Sequence, residues 1–325
     1  MRILRSKGQP FVRNNRNAKT HKGSGKDSHY LLLLCIPAIL WFVVFSYLPM
    51  FGVAFAFKQF TPRPGQNLIR NLFVNSRWTG LDNFSFLVRS SQISEIMFNT
   101  IFYNVVFIIL GITIPVLFAM LLAEVHGRSF SGIIQMVLLL PYFLSWVIVG
   151  YCLYGFLATD EGQVNHILLM LGKSGIQWYQ SPQYWRVILI ATGLWKSMGY
   201  SMIIYLCAIT SIDRTLYESA TLDGAGFWAK AKYITLPMLR PTIATIFILH
   251  VGSILSSDFG LFYQVPLDSN SLQPVTQTLD VYVYKALMQQ ANFSYSSAAS
   301  FLQSSVGCVL LLIAHFVIKK LDRDR

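Results

Sequence analysis

The residues of this 325-residue chain best spaced to do work are Glu218, Ser219, Ala220, Thr221, Leu222, Asp223, Gly224, Ala225 and Gly226, followed by Ile234, Thr235, Leu236, Pro237 and Pro241. The work they suit is docking rather than bond-making. Glu218 and Asp223 offer carboxylates for polar contacts or caps, and Gly224 and Gly226 allow the positive φ that a sharp bend needs. Thr215 and Glu218 stand in capping-box register, which predicts a short helix starting near Leu216. Phe227 to Ile234 then read as a second short helix, stopped by Leu236-Pro237 and Pro241. Two short helices joined by a glycine bend would present Leu216, Tyr217, Ala220 and Phe227 beside the two acids, a shape that fits a groove on another protein. The plain alternative is a capped surface loop with no partner, because a capping box alone is common.

Bond-making chemistry finds no constellation. The cysteines Cys35, Cys152, Cys207 and Cys308 fall within apolar runs without metal-ligand spacing, so they read as packing residues rather than a disulfide frame or zinc site. The six histidines are scattered, and none has the i, i+4 partner plus Glu of a metalloprotease helix. Phosphate loops and nucleotide fingerprints are also missing from the pattern, so the chain reads as a non-enzyme with no metal and no cofactor of its own. Energy for active work would come from a partner.

The elements that must position the docking stretch are apolar. With 54% hydrophobic residues, 12% charged and a mean hydropathy of +0.49, the composition is that of an integral membrane protein. Runs long enough to cross a hydrocarbon core of about 30 Å lie at 30–57, 97–122, 133–157, 186–209, 242–262 and 298–318. Alternating strands of barrel type do not occur, so the fold class is an all-α bundle of six transmembrane helices. A basic tail, 1–29, precedes the membrane domain, 30–318, and a short tail, 319–325, follows it. The docking stretch, 213–241, joins the fourth and fifth spans. The apolar run from Tyr30 carries no cleavage pattern and predicts a helix kept in the mature protein. Pro37, Pro49, Pro115 and Pro141 fall in spans and predict kinks, which suits a bundle that opens and closes.

Orientation follows from charge. With the amino terminus inside, 17 of the 26 Lys and Arg fall on the cytoplasmic side and 7 on the other, which places both termini and the docking stretch in the cytoplasm. The net charge of +12 also raises nucleic acid as a partner, but no aromatic interleaving accompanies the basic tail. Anionic membrane lipid accounts for the same charge, at about 1 kcal/mol per basic residue.

Lys196 and Asp258 are ionisable groups at or near membrane depth, where a charge costs about 2.5 to 3.5 kcal/mol on insertion scales and must face a partner or water. An internal salt bridge or snorkelling is one reading, and lining a solute path is the other. Trp195, Tyr200, Tyr205, Asn99 and Asn104 can stack on or bond to a sugar, or simply pack.

The docking stretch resembles the EAA loop of the membrane subunits of binding-protein-dependent ATP-binding-cassette (ABC) importers, departing at Ser219 where the family has Ala. Ser46 to Gly52 with Ala56-Phe57-Lys58, Gly80 to Phe84 and Leu140 to Val147 resemble carbohydrate-uptake permeases of the LplB type. The similarity runs from about Tyr30 to the carboxyl end. It implies an ABC type I importer fold in a bacterial cell membrane, importing an oligosaccharide or polysaccharide fragment. It further implies a second, similar permease as heterodimer partner, two ATPase subunits holding ATP and magnesium, and an extracytoplasmic sugar-binding protein received on the outer loops. Glu218 to Pro237 would then seat in the ATPase as a coupling helix. An ion-gradient-driven secondary transporter is the competing class, but paired broken helices in two related halves are not evident. A membrane enzyme would need converging acid, base or metal residues, and none converge.

Overall fold

A computed structural model describes residues 25–60, 65, 67, 70–71, 75–89, 91–125 and 127–323, so the first 24 residues of the basic tail lie outside the described residues. Its fold divides into two compact units, residues 1–51 and 52–325.

The first unit holds helix α1 (Gly25–Phe42), which widens into a π turn at Val43–Tyr47. Every side chain described from 32 to 51 is exposed. A helix that is apolar all round and buries none of itself matches lipid or another protein, not water. The apolar span Leu32–Phe57 agrees with the first predicted span.

The second unit begins with a small antiparallel ribbon, β1 (Lys58–Gln59) with β2 (Arg77–Trp78), then α2 (Asp82–Arg89). Its frame is α3 (Ser91–Ala123) packed along α7 (Pro182–Thr210). The two helices share cores at both ends. One gathers Tyr103, Trp185, Leu189, Leu261, Phe262 and Leu272, and the other Val116, Met120, Met202, Leu206, Ile209 and Leu239. Close packing needs a small residue at Gly199, where a Cβ would stand 1.9 Å from the Leu138 carbonyl oxygen. The α-helix of α3 runs on through Pro115.

The third predicted span, 133–157, is broken. Helix α4 (Arg128–Leu139) passes into a 3-10 turn, Leu140–Phe143, and α5 (Trp146–Leu157) leaves at 98° to the first segment, with the short α6 (Gln163–Met170) after it. Pro141 opens the 3-10 turn, and the Ser145 hydroxyl accepts from the Ile148 amide at 3.3 Å to cap α5. Counting this pair once, six spans are present among the described residues.

The predicted fifth span, 242–262, is displaced. Helix α8 (Arg214–Leu222) leads to α9 (Phe227–Lys230), a π turn at Ala231–Thr235 and α10 (Leu236–Gly252); the helical run 227–252 is long enough to cross with turns to spare at its start, since about 20 residues suffice. Pro237 and Pro241 therefore stop nothing. The wider π turn shifts the bonding pattern just before Pro237, whose ring would otherwise meet the carbonyl four residues back.

Beyond Gly252 the chain unwinds and returns through a π turn (Gly260–Gln264), α11 (Gln273–Thr276) and α12 (Leu279–Met288) to the last span in α13 (Phe293–Arg323). Unwound backbone among apolar helices requires partners, and α3 supplies them. Asn99 donates to the Pro274 carbonyl at 2.8 Å, Tyr103 to Val275 at 2.7 Å and Asn104 to Ile254 at 3.0 Å. The Thr100 hydroxyl accepts from the Leu279 amide at 2.9 Å.

Candidate functional site

Two places gather the residues singled out in sequence. The first is α8 with its bend. Its N-cap is Asp213, whose carboxylate accepts from the Thr215 amide at 3.0 Å. The Thr215–Glu218 capping box is thus displaced by an Asx cap two residues upstream, which starts the helix at Arg214. The bonds from Thr215 hold the Asp213 carboxyl below its usual pKa. At the other end Gly224 takes φ +78°, while Gly226 stays at φ −75°. Only the first glycine makes the left-handed turn. Nothing lies within 4 Å of a Cβ placed at Gly224, so a larger residue there is resisted by its own backbone and not by neighbours.

Glu218, Ser219, Asp223 and Gly226 are exposed, and Ala220, Ala225, Ile234 and Pro237 are half-buried. Apolar surface is left open at Leu222 (90% exposed), Trp228 (71%) and Tyr233 (71%), with Leu216 and Leu236 also exposed. Behind α8 lies a cavity of about 430 Å³, lined by Glu124, Arg214, Tyr217, Glu218, Lys230 and Thr235 among others. Phe227 packs inward against the core that holds Met120 and Leu206 rather than facing outward.

The second place is the break between α4 and α5. Lys196, halfway along α7, donates to the carbonyl freed at Tyr142 at 2.8 Å. Its ammonium also stands 5.4 Å from the Tyr142 ring centre and 5.0 Å from that of Trp146. Trp146 donates to Asp258 Oδ2 at 2.8 Å, and Asp258 Oδ1 accepts from the Gly260 amide at 2.9 Å. Tyr200 stacks on Tyr142 with centres 4.7 Å apart and planes at 11°. Three predicted residues, Lys196, Tyr200 and Asp258, thus meet around Tyr142 and Trp146. Among the described residues Lys196 makes no salt bridge; it donates to a carbonyl at the helix break.

The remaining predicted residues stand apart. Trp195 lines an apolar cavity of about 340 Å³ with Leu144, Val149, Cys152 and Phe156. Tyr205 is fully buried in the core beside Met202. Asn99 and Asn104 bond to backbone carbonyls, as described above. All four cysteines are exposed rather than packed inside the subunit. The sequence signal for Tyr142 and Trp146 was the Leu140-Pro141 step in an apolar run, which frees carbonyls that need donors.

Residues 111–263 match the family described as binding-protein-dependent transport system inner membrane component. The protein LplB of Bacillus subtilis (strain 168) is 33% identical over 300 residues, spanning 92% of this chain and 91% of LplB. The polygalacturonan/rhamnogalacturonan transport system permease YteP of the same organism is 32% identical over 295 residues, spanning 91% and 89%. Among solved structures, a chain of a bacterial ABC transporter involved in the import of the acidic polysaccharide alginate is 31% identical, with a TM-score of 0.81 over 91% of this chain and 96% of that one. A second alginate transporter structure, in complex with an alginate pentasaccharide-bound periplasmic protein, gives a TM-score of 0.80 at 30% identity. On sequence and fold together, this chain belongs to the family of binding-protein-dependent transport system inner membrane components, the permease subunits of ABC importers.

Proposed function

We propose that this permease imports an oligosaccharide or polysaccharide fragment in a bacterial cell membrane, with both termini cytoplasmic and the segment 213–241 serving as the coupling loop. ATP and magnesium are held by two ATPase subunits, a second similar permease completes the pathway, and an extracytoplasmic sugar-binding protein delivers the solute. The observation that carries the reading is the exposed apolar set Leu222, Trp228 and Tyr233 around a capped helix at a glycine bend. Large aromatic and aliphatic side chains left in the open beside carboxylates match an interface core. Glu218 and Asp223 contribute polar contacts at its rim, and Ser219, Ala220, Ala225, Gly226, Ile234, Leu236 and Pro237 shape the surface.

The solute path passes the patch of Tyr142, Tyr200, Lys196, Trp146 and Asp258. Exposed stacked rings offer an apolar face to a sugar ring, and the Lys196 ammonium has donors to spare beyond its bond to Tyr142. Trp195, Asn104 and Tyr205 stand apart from this patch. ATP closes the ATPase dimer, draws the coupling loops together and rocks the bundle between inward-open and outward-open states, a two-state change biased by a ligand.

Uptake of labelled alginate pentasaccharide and of oligogalacturonate, in membranes with and without the co-expressed ATPase, tests the reading. Uptake of either that requires ATPase and survives an ionophore supports it. Uptake without ATPase that an ionophore abolishes replaces it with a gradient-driven transporter. Within the path, Lys196→Gln is expected to lower sugar uptake while leaving ATPase capture intact.

A further inference from the structure

Helix α8 is nearly detached from the bundle. It buries none of its side chains, and among the described residues one hydrogen bond reaches from it beyond its own turn and bend: Tyr217 Oη to Thr235 Oγ1, at 2.9 Å. The covalent route from α8 to the fifth span runs through Gly224, a left-handed residue with no neighbour within 4 Å of its Cβ position. The backbone bonds of the bend, from the Gly224 and Ala225 amides to Thr221 and Ala220, close back on α8 and not on the bundle, and glycine adds no side chain to brace it. Thr235 is the opposite kind of anchor. It is buried, closes the π turn, and its hydroxyl stands 3.4 Å from the Lys230 carbonyl. Thr235 can therefore donate to Lys230 while accepting from Tyr217. The turn itself is keyed into the bundle, since Phe227 and Ala231 pack in the core with Val116, Met120, Leu206 and Leu239.

We infer that the Tyr217–Thr235 hydrogen bond is the strut that carries displacement of α8 into the head of the fifth span, with Tyr217 as a positioning residue for transport. Together with the covalent bend, the strut triangulates α8 against the π turn, so the two move as one body. The inference rests on the coupling reading and adds the load path to it. A second consequence concerns the π turn. Leu236 and Pro237 follow it, and the proline ring would crowd the Tyr233 carbonyl if the turn closed into α-helix, so the strut bears on a fixed point.

The test uses the permease assembled with its ATPase in nanodiscs, with Cys35, Cys152, Cys207 and Cys308 replaced and spin labels at Thr215→Cys on α8 and Met238→Cys on α10. Distances are read without nucleotide and after ATP–vanadate trapping. With Tyr217 present, one narrow distribution is expected in both states. In Tyr217→Phe and in Thr235→Val the ratio of separated to clasped distances in the trapped state should rise roughly 2- to 12-fold, the factor that a single neutral hydrogen bond contributes. Thr235→Ser, which keeps the hydroxyl, should behave as wild type, and the double variant should add little to either single one. A Tyr217→Phe distribution indistinguishable from wild type after trapping overturns the strut. Crosslinking of Ala220→Cys to the ATPase, scored in the same samples, reports on the coupling reading separately; capture with an unchanged distribution overturns the strut alone, and no capture overturns both.

Discussion

The loop between the fourth and fifth spans and the return between the fifth and sixth are both interruptions in an apolar bundle, yet they solve the same problem in opposite ways. In the return, polar groups close on one another. Asp280 accepts from the Ser257 amide at 2.6 Å and hydroxyl at 2.9 Å and from Gln303 at 3.0 Å, and the Ser257 hydroxyl reaches Thr278 at 2.7 Å. Lys285 pairs with Asp268, and Leu272 and Leu279 are fully buried. The loop does the reverse: α8 buries nothing, and Leu222, Trp228 and Tyr233 stand open. A region that satisfies itself is scaffold, whereas a folded region that leaves apolar area uncovered is half of an interface.

The contrast can be broken from either side. Asp280→Ala should be the most damaging change to the subunit alone, because it strands donors at Ser257 and Gln303, and a hydrogen bond to a charged group contributes about 1.5–3 kcal/mol. Thermal unfolding of the detergent-solubilised subunit measures it, and an unchanged midpoint would remove the scaffold half of the comparison. Trp228→Ala should do the converse. Its stability effect is expected within about 0.5 kcal/mol, as for exposed positions generally. Affinity for the ATPase should fall by about 2 kcal/mol or more, as for a buried aromatic anchor, read by co-purification against competitor.

Gly224→Val probes the bend. Its φ of +78° costs a branched residue about 1–2 kcal/mol with no steric clash to add, so α8 should fray or re-aim while the spans stay folded. Hydrogen exchange confined to residues 214–230 would show this, and global loss of protection would contradict it. The smallest expected effect is at Asp213. Its folded pKa is depressed by the Thr215 bonds, so its contribution is complete above the ordinary carboxyl range and is lost as pH falls through the folded value. Protection of the α8 amides should decline on acidification below about pH 4, and Asp213→Asn, still a capping side chain, should flatten that dependence.

Much of this was legible in the chain. Span count, the two short helices between the fourth and fifth spans and the glycine at their bend follow from apolar run length and from turn chemistry that acts within a few residues. The failures have two causes, local competition between signals and long-range partners that override them. Thr215 lost the cap to Asp213 because two capping residues two positions apart compete and only geometry chooses. The fifth span slid because Ile254, Leu255 and Phe262 keep the run apolar across an unwound stretch held by α3, where Asn104 donates to the Ile254 carbonyl while Asn99, Thr100 and Tyr103 hold the returning chain at Pro274, Leu279 and Val275. Lys196 read in two ways, as a salt-bridged or snorkelling charge or as part of a solute path, and neither reading named the Tyr142 carbonyl, 54 residues earlier, to which it donates. Asn165, overlooked as a polar loop residue, pins its loop by bonding to Thr159, Ile176 and Trp178.

The most direct test places a photo-crosslinker at Leu222 in the loop and, as its counterpart, at Met288 in the return, both exposed, in membranes carrying the whole transporter. Capture of the ATPase from Leu222 and not from Met288 is the predicted result. Capture of the ATPase from Met288, or of lipid alone from Leu222, would contradict the assignment of the loop as the coupling surface.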